Sequence, residues 1–401
     1  MTVILAAPTI SVPPHVPASL VRDFDFLESD VSGDILDFWG KIQDGLEIFY
    51  TPRNGGHWVF TRYEDIAHGY ETFADFSNTH PLTETRPFLM PPQEYDPPLH
   101  TEFRMLVARF FAPKAVGELG VKARELTIQL IEAFQQRGEC DFVAEFAYRL
   151  PIGVFMDLVD LPKSDRVMLI GVVEHLVRGK TAEQSAEGFQ RLTEYLAQVV
   201  AERRAKPGAD ILSGVIHGHV EGGRPLSDTE AVGVCMLLVI AGLDTVASMM
   251  SYIMAFLARN PAHRQRLIAQ PQEIPDAVEE LLRRFSVANL ARTVSHDLVY
   301  KGVEMKAGDK LLLPTCLAAV DERRYPDPRK VDFTRADKRS LVFGRGPHQC
   351  LGAFLARTEL RVFVEEWLTR IPDFDVAADE PVAAVSGIVN SLRSLRLVWK
   401  V

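Results

Sequence analysis

From Val232 to Leu257 apolar residues recur without a polar face, and this run predicts the principal helix of the molecule. Ser227 precedes it and Glu230 follows three residues later, the capping box in which each side chain satisfies the other's backbone N–H. The run stops at Asn260-Pro261. From Ser227 to Leu257 the helix is about 45 Å long at 1.5 Å per residue, enough to cross a whole domain. A helix apolar nearly all round is a buried helix. Gly242 and Asp244 interrupt its most apolar part, around Val232–Val246, which is too short and too polar for a bilayer span.

Around that helix the pattern predicts further helices. An amphipathic one runs from Asp34 to Tyr50, and another starts near Tyr63 after a short strand at His57–Thr61. Leu99 to Phe111 reads as a helix that Pro113 stops. Val116–Arg137, Phe142–Leu158, shorter pieces from Ser164 to Val177, Thr181–Lys206 and Asp210–His219 come next. Gly222-Gly223 turns a small hairpin. Later come a helix at Ile274–Phe285, strands at Leu298–Tyr300 and Lys310–Pro314 joined through a turn at Lys306–Asp309, and a helix at Leu351–Arg370. The tail Ser391–Val398 alternates as a strand. Two stretches lack a period: the proline-rich 79–98, a loop of functional length, and the charged 317–339. The first 25 residues are rich in proline and read as a surface-wrapping segment. The fold class is therefore mainly α with small β-sheets. No βαβ repeat occurs, which excludes Rossmann and barrel architectures. Distant motifs converge on one site, so residues 1–401 read as a single unit.

Composition narrows the function. An apolar fraction of 47% and a charged fraction of 24% are those of a globular enzyme. A net charge of -10 argues against nonspecific binding to nucleic acid or to anionic membranes. The opening residues lack a basic region and a long apolar core, so no signal peptide is predicted. Cys140, Cys235, Cys316 and Cys350 form no CxxC pair or Cys/His cluster, which disfavours zinc and iron–sulfur sites and suits a reducing, cytoplasmic setting. The first three read as packing residues.

Cys350 differs. It stands in Leu341-Val-Phe-Gly-Arg-Gly-Pro-His-Gln-Cys-Leu-Gly-Ala-Phe-Leu-Ala-Arg357, after two glycines and a proline and at the start of a helix. Backbone N–H groups at a helix N-terminus favour a thiolate. Gly344 and Gly346 permit turns, Gly352 lets the helix backbone approach something flat, and Phe343 can shield the sulfur. Such a thiolate is a nucleophile or a haem ligand. A nucleophile needs an oriented base, and His348 has no orienting partner in sequence.

Phe343-Gly-Arg-Gly-Pro-His-Gln-Cys350-Leu-Gly352 resembles the cysteine loop of the cytochrome P450 family. The resemblance extends over nearly the full chain. It includes Pro14-His-Val-Pro17, Asn54-Gly-Gly-His-Trp58, Gly242-Leu-Asp-Thr-Val246, Glu280-Leu-Leu-Arg-Arg-Phe-Ser286 and Glu366-Trp-Leu-Thr-Arg-Ile-Pro-Asp-Phe374, and is strongest to the soluble bacterial camphor-hydroxylase group. It implies haem b with Cys350 as the axial iron ligand. His100, Arg104, Arg292 and His348 then anchor the propionates. Glu280 and Arg283 form a buried ion pair that locks, with Arg335, onto Asp327–Arg335. Asp244 and Thr245 sit where the family's long helix locally opens, and they relay protons to bound oxygen, for which Gly242 leaves room. The bland alternative is a Thr245 hydroxyl bonded to its own helix.

The implied reaction inserts one atom of dioxygen into a C–H bond and releases the other as water, using two electrons and two protons. Electrons come from NADH through a flavoprotein reductase and a [2Fe–2S] ferredoxin, with Arg104 and Arg345 as docking or positioning cations. Monomer is the default state by the same resemblance. Phe88, Met90, Ile240, Ala241, Ala288, Ile388 and Val389 are candidate pocket residues, joined by Thr245. Phe88 replaces the tyrosine that hydrogen-bonds camphor, which disfavours camphor. A terpenoid or ionone-like norisoprenoid fits better. A peroxide-using or isomerising haem-thiolate enzyme and a non-catalytic haem sensor are the alternatives, and the Asp244–Thr245 pair argues against both.

Overall fold

The structure, a computed structural model, describes residues 9–401 except 29–30, 44, 80–88, 160, 166, 170, 173–181, 209 and 379–381. The long helix is present as Asp228–Arg259. Both halves of its capping box form, with the Ser227 hydroxyl accepting from the Glu230 N–H and the Glu230 carboxylate accepting from the Ser227 N–H. Helices Arg149–Val159 and Ala182–Ala205 pack against it, and helices Pro113–Phe134 and Ala353–Arg370 pack against each other alongside.

The main sheet has five strands in the order Ile48–Thr51, His57–Phe60, Lys310–Pro314, Asn289–Val294, Phe76–Ser77. Its pairs are antiparallel except His57–Phe60 with Lys310–Pro314, where Trp58 lies opposite Leu311. The described N-terminal residues run beside this sheet. The Ile10 N–H donates to the Pro52 carbonyl at 2.9 Å, Val21 bridges to Tyr50, and His15 meets Asp309 at 2.9 Å.

Two apolar cores divide the molecule. One gathers Trp39, Trp58, Phe60, Phe142, Phe363 and Trp367, and the other Phe103, Val107, Met156, Leu192, Leu196 and Val215. The long helix serves both. Ala231–Val239 belongs to the second core and Val246–Ala258 to the first. Ala241, Gly242, Asp244 and Thr245, between them, belong to neither and border a cavity. Among the described residues this is the one helix long and apolar enough to cross a membrane, and 65% of its most apolar window is buried inside the protein.

Several predicted elements change. The helix expected over 34–50 ends at Gln43, and Ile48–Thr51 is a strand buried along its whole length. A short apolar run reads either way by period alone. The run before Pro113 ends at Phe111 as expected, and Pro113 also begins the next helix, because its missing N–H costs nothing in the first turn. The segment after Cys140 is not one helix: Glu139–Asp141 is a strand, Val143–Ala147 is π-helical, and an α-helix comes after it at Arg149–Val159. Asn289–Val294 is a strand that the pattern hid behind its polar Asn, Arg and Thr.

Candidate functional site

The cysteine loop is built from its glycines. Gly344 and Gly346 adopt φ of +66° and +71°, a region that side chains rarely tolerate. A Cβ on Gly346 would also meet the Tyr70 carbonyl oxygen at 2.9 Å. The Gly344 N–H donates to the Leu341 carbonyl at 2.8 Å, and the Cys350 N–H donates to the Phe343 carbonyl at 2.9 Å. These bonds close the loop and turn the sulfur toward the cavity. Cys350 is exposed only on that side, and protein encloses it elsewhere. That enclosure raises the thiol pKa, against the lowering influence of the Gly352 N–H, Arg104, Arg357 and the Ala353 N–H. The Gly352 and Ala353 N–H groups at the helix start act on the sulfur in the direction the sequence predicts, toward the thiolate. Cys140, Cys235 and Cys316 are buried and free, with thiols raised chiefly by burial, as packing residues should be.

The cavity has a volume of about 350 Å³. Met90, Ile240, Ala241, Ala288, Ile388 and Val389 all line it, and Phe88 lies outside the described residues. Ala288 and Val389 face one another across an isolated bridge, and the Asn289 N–H donates to the Ile388 carbonyl at 2.7 Å. The Glu94 carboxylate accepts from the Met90 N–H at 2.8 Å and holds that turn in the wall.

His100, Arg104, Arg292 and His348 converge on the same cavity. The two imidazoles lie 4.1 Å apart between centroids. Both ring nitrogens of His100 and Nε2 of His348 are buried without a partner among the described residues. Burial, then neighbouring Arg104, pushes His100 down to about 4. Burial, then His100, Arg292 and Arg104, pushes His348 down to about 2. Burial lowers Arg292 to about 10, and its guanidinium lies 4.9 Å over the Tyr70 ring. Arg104 donates to the Gln349 carbonyl at 2.6 Å. Neither arginine has an ion pair among the described residues. Buried donors and cations left in this state fit a ligand that carries carboxylates. Gly242 and Gly352 leave it room: a Cβ on Gly242 would meet nothing within 4 Å, and one on Gly352 would meet only the Cys350 sulfur, at 3.8 Å. Phe343 also lines the cavity, under the Arg357 guanidinium at 4.5 Å. These residues fit haem b: a thiol for iron, open glycine backbone for a flat ring, and basic groups for two propionates.

On the long helix, Asp244 is 2% exposed. Its Oδ1 accepts from the Tyr148 hydroxyl at 2.7 Å, and its Oδ2 has no partner among the described residues. The Thr245 hydroxyl donates to the Ala241 carbonyl at 3.0 Å. The helix is α-helical through 241–245, so the expected local opening is absent. The bland account of Thr245 describes its bonding here, while the residue still lines the cavity.

Glu280, Arg283 and Arg335 do not line the cavity and form a separate buried network. Glu280 and Arg283 are both 0% exposed and paired at 2.8 Å, and the Arg335 Nε donates to Glu280 at 3.1 Å. Arg283 also donates to the carbonyls of Ala319, Pro328 and Lys330, in or just before the Asp327–Arg335 segment. Arg345 is half exposed and paired with Glu71 at 2.6 Å.

Three residues that the sequence did not disclose belong to the site. Tyr148 holds Asp244. Asn78 contacts His348 Nδ1 at 3.0 Å. Glu359 lines the cavity from the helix after Cys350, and burial pushes its carboxyl up to about 8. Only Glu359 left a signal, a carboxylate on an otherwise apolar helix face with Leu360, Val362 and Phe363.

Comparison with known proteins agrees with this geometry. The Cytochrome P450 family profile matches residues 154–380. The chain is 32% identical to "Probable cytochrome P450 127A1" of Sinorhizobium fredii, over 98% of this chain and 97% of that one. It is 34% identical to "Steroid C26-monooxygenase" of Mycolicibacterium smegmatis, over 84% and 85% of the two chains. Among solved structures, that of CYP101J2 superposes with a TM-score of 0.89 at 37% identity, covering 98% of this chain and 100% of that one. The sulfur-bearing loop, the buried ion-pair network and the likeness along nearly the whole length have one reading: the chain belongs to the cytochrome P450 family and is a haem b monooxygenase.

Proposed function

We propose that this enzyme hydroxylates a small, mostly hydrocarbon molecule, a terpenoid or an ionone-like norisoprenoid, in the cytoplasm. Its electrons come from a [2Fe–2S] ferredoxin that an NADH-dependent flavoprotein reduces. The carrying observation is the aliphatic wall of Met90, Ile240, Ala241, Ala288, Ile388 and Val389 in the same cavity as Cys350. Such a wall takes up hydrocarbon and excludes water. A surface groove edged by Arg339, Arg345 and Arg357 reaches Phe343 and Gln349 beside Cys350, which gives an electron donor a short approach.

Each residue then has a task. Cys350 Sγ would hold the haem iron, and His100, Arg104, Arg292 and His348 would hold the propionates. Haem b, when bound, supplies oxygen activation and transfer of one oxygen atom to carbon. Asp244 takes a proton at Oδ2 and releases it toward Thr245 Oγ1 and cavity water. Thr245 accepts that proton on Oγ1 while its own hydroxyl proton, donated to the Ala241 carbonyl at rest, passes to cavity water. Glu280, Arg283 and Arg335 keep the segment before the cysteine loop in place. The chain works as one unit, because its two cores share the long helix.

The test is the reduced, carbon monoxide-treated protein. A strongly red-shifted Soret band is expected for thiolate ligation, and a histidine-like band overturns the assignment of Cys350. Terpenoids and norisoprenoids are then screened for a spin-state shift, NADH use with a ferredoxin system, and an oxygenated product. NADH use that yields only peroxide with every member of both classes overturns the substrate reading.

A further inference from the structure

Asp244 is held by a residue from a different helix, and the way that residue is delivered is unusual. Tyr148 comes directly after the π-helical turn Val143–Ala147. Its own N–H reaches back five residues to the Val143 carbonyl at 3.3 Å. The start of this turn is fixed by Asp141, whose carboxylate accepts from the N–H groups of Val143 and Ala144 at 3.0 and 3.4 Å. A π turn holds one residue more than an α turn. It rotates the next side chains by about 100°, the angle per residue of a helix. The turn packs against the long helix. Tyr148 is 6% exposed, and its hydroxyl donates to Asp244 Oδ1 at 2.7 Å. The other oxygen, Oδ2, is buried and unpartnered among the described residues, on a side chain that borders the cavity.

We propose that Tyr148 is the positioning residue for Asp244, delivered by the π turn to immobilise Oδ1 so that Oδ2 alone carries the proton. This rests on the reading of Asp244 as a proton relay. Each passage is balanced: Oδ2 gains one proton from solvent water and gives one to water or Thr245 on the cavity side, and the carboxylate returns to its starting state. A carboxylate free to rotate about its Cβ–Cγ bond presents either oxygen and spends part of its time misdirected. Tyr148→Phe removes the hydroxyl and keeps the ring.

The holoenzyme with its electron-transfer partners and a substrate that shifts its spin state provides the test. Tyr148→Phe is expected to lower kcat about tenfold, to enlarge the solvent deuterium isotope effect on kcat, and to leave KM and the spin-shift binding constant unchanged. In an Asp244→Asn background the same substitution is expected to change nothing further. Infrared difference spectra of wild type against Asp244→Asn isolate the Asp244 carboxylate band, and Tyr148→Phe is expected to shift it, which reads the hydrogen bond without turnover. If Asp244→Asn is slow while Tyr148→Phe matches wild type in kcat, isotope effect and band position, the proposal is overturned and the relay survives. If Asp244→Asn is fully active, the relay itself falls and the proposal with it. Should Tyr148→Phe fail to fold, 3-fluorotyrosine at position 148 keeps the shape and strengthens the donor. A carboxylate band and isotope effect unchanged by it also overturn the proposal.

Discussion

Two buried polar clusters, one around Glu280 and one lining the cavity at His100, are finished to different degrees. In the Glu280 cluster every strong group has a partner. Glu280 accepts from Arg283 at 2.8 and 2.9 Å, from the Asp332 N–H at 3.0 Å and from Arg335 at 3.1 Å. In the His100 cluster, three imidazole nitrogens have none among the described residues. Burial penalises both clusters alike. Where the protein supplies every partner, the cluster is scaffold. Where partners are missing from several neighbouring groups at once, the protein is shaped for something it binds.

The largest test of that distinction removes one partner from the finished cluster. Arg283→Ala leaves the Glu280 carboxylate at the centre of the protein without its bidentate donor. Loss of one member of a buried pair costs about 3–5 kcal/mol. A matching drop in the denaturant midpoint is expected, with release of haem, because the Asp327–Arg335 segment loses its anchor. Arg283→Lys should rescue little, since an ammonium cannot copy the two-pronged contact. A midpoint unchanged by Arg283→Ala breaks the comparison.

Glu359 sharpens it on the cavity side through pH. Burial lifts its carboxyl from 4.5 to about 8 in the folded chain. Between those values the folded state holds the proton and the unfolded state does not. Stability therefore falls as pH rises through this window, by roughly 1.4 kcal/mol per unit. His57, lowered from 6.5 to about 4 by burial, acts with the opposite sign and loses its contribution as pH falls through that range. Glu359→Gln should remove the loss on the alkaline side, so that its unfolding midpoint equals wild type near pH 5 and exceeds it near pH 8. Parallel melts at the two pH values check this, and parallel behaviour of the two proteins at both would show that Glu359 has a partner when folded.

A smaller effect is expected at His100, with opposite signs for the empty and the loaded protein. His100→Phe replaces two unpartnered ring nitrogens by hydrocarbon of similar shape. The apoprotein should gain about 1–2 kcal/mol, while haem passes faster to an acceptor protein because a propionate donor is gone. A substitution that stabilises the empty chain and weakens its ligand is the mark of a binding residue, and Arg283 should never show it.

The sequence disclosed the two clusters unequally. The Cys350 loop was readable from its own residues, while Glu280 with Arg283 and Asp244 with Thr245 were readable through the family resemblance, each in one short contiguous motif. The cavity-lining positions of His100, Arg104, Arg292 and His348 were readable only through a family pattern. Tyr148 was not readable: it lies 96 positions from Asp244, and its orientation depends on a π turn that no residue preference announces. Asn78 and His348 are 270 positions apart, in a contact that only the folded chain creates. The fold shows the same limit. The capped long helix was plain from period and cap, whereas Ile48–Thr51 and Asn289–Val294 owe their strand state to neighbours far along the chain. Thr245 marks a further limit, because its bond to Ala241 and its place in the cavity wall hold together and motif reading had set them as alternatives.

The smallest expected effect lies at the end of the long helix remote from both clusters in sequence. Ser227→Ala removes the side-chain oxygen that accepts from the Glu230 N–H at 3.2 Å and breaks the capping box. Such a cap contributes about 1 kcal/mol. Glu230 keeps its ion pair with Arg224 at 2.8 Å, so the helix start is weakened rather than lost. The melt should shift down by a few degrees, with the carbon monoxide spectrum and the rate of haem transfer unchanged. The reason is the division of this helix: Ala231–Val239 is packed in one core, and Ala241, Gly242, Asp244 and Thr245 border the cavity beyond it. Fraying at the cap has to pass through that packed stretch before it reaches Asp244. If haem transfer quickens as much in Ser227→Ala as in His100→Phe, the helix moves as one body, and no boundary between scaffold and site exists along it.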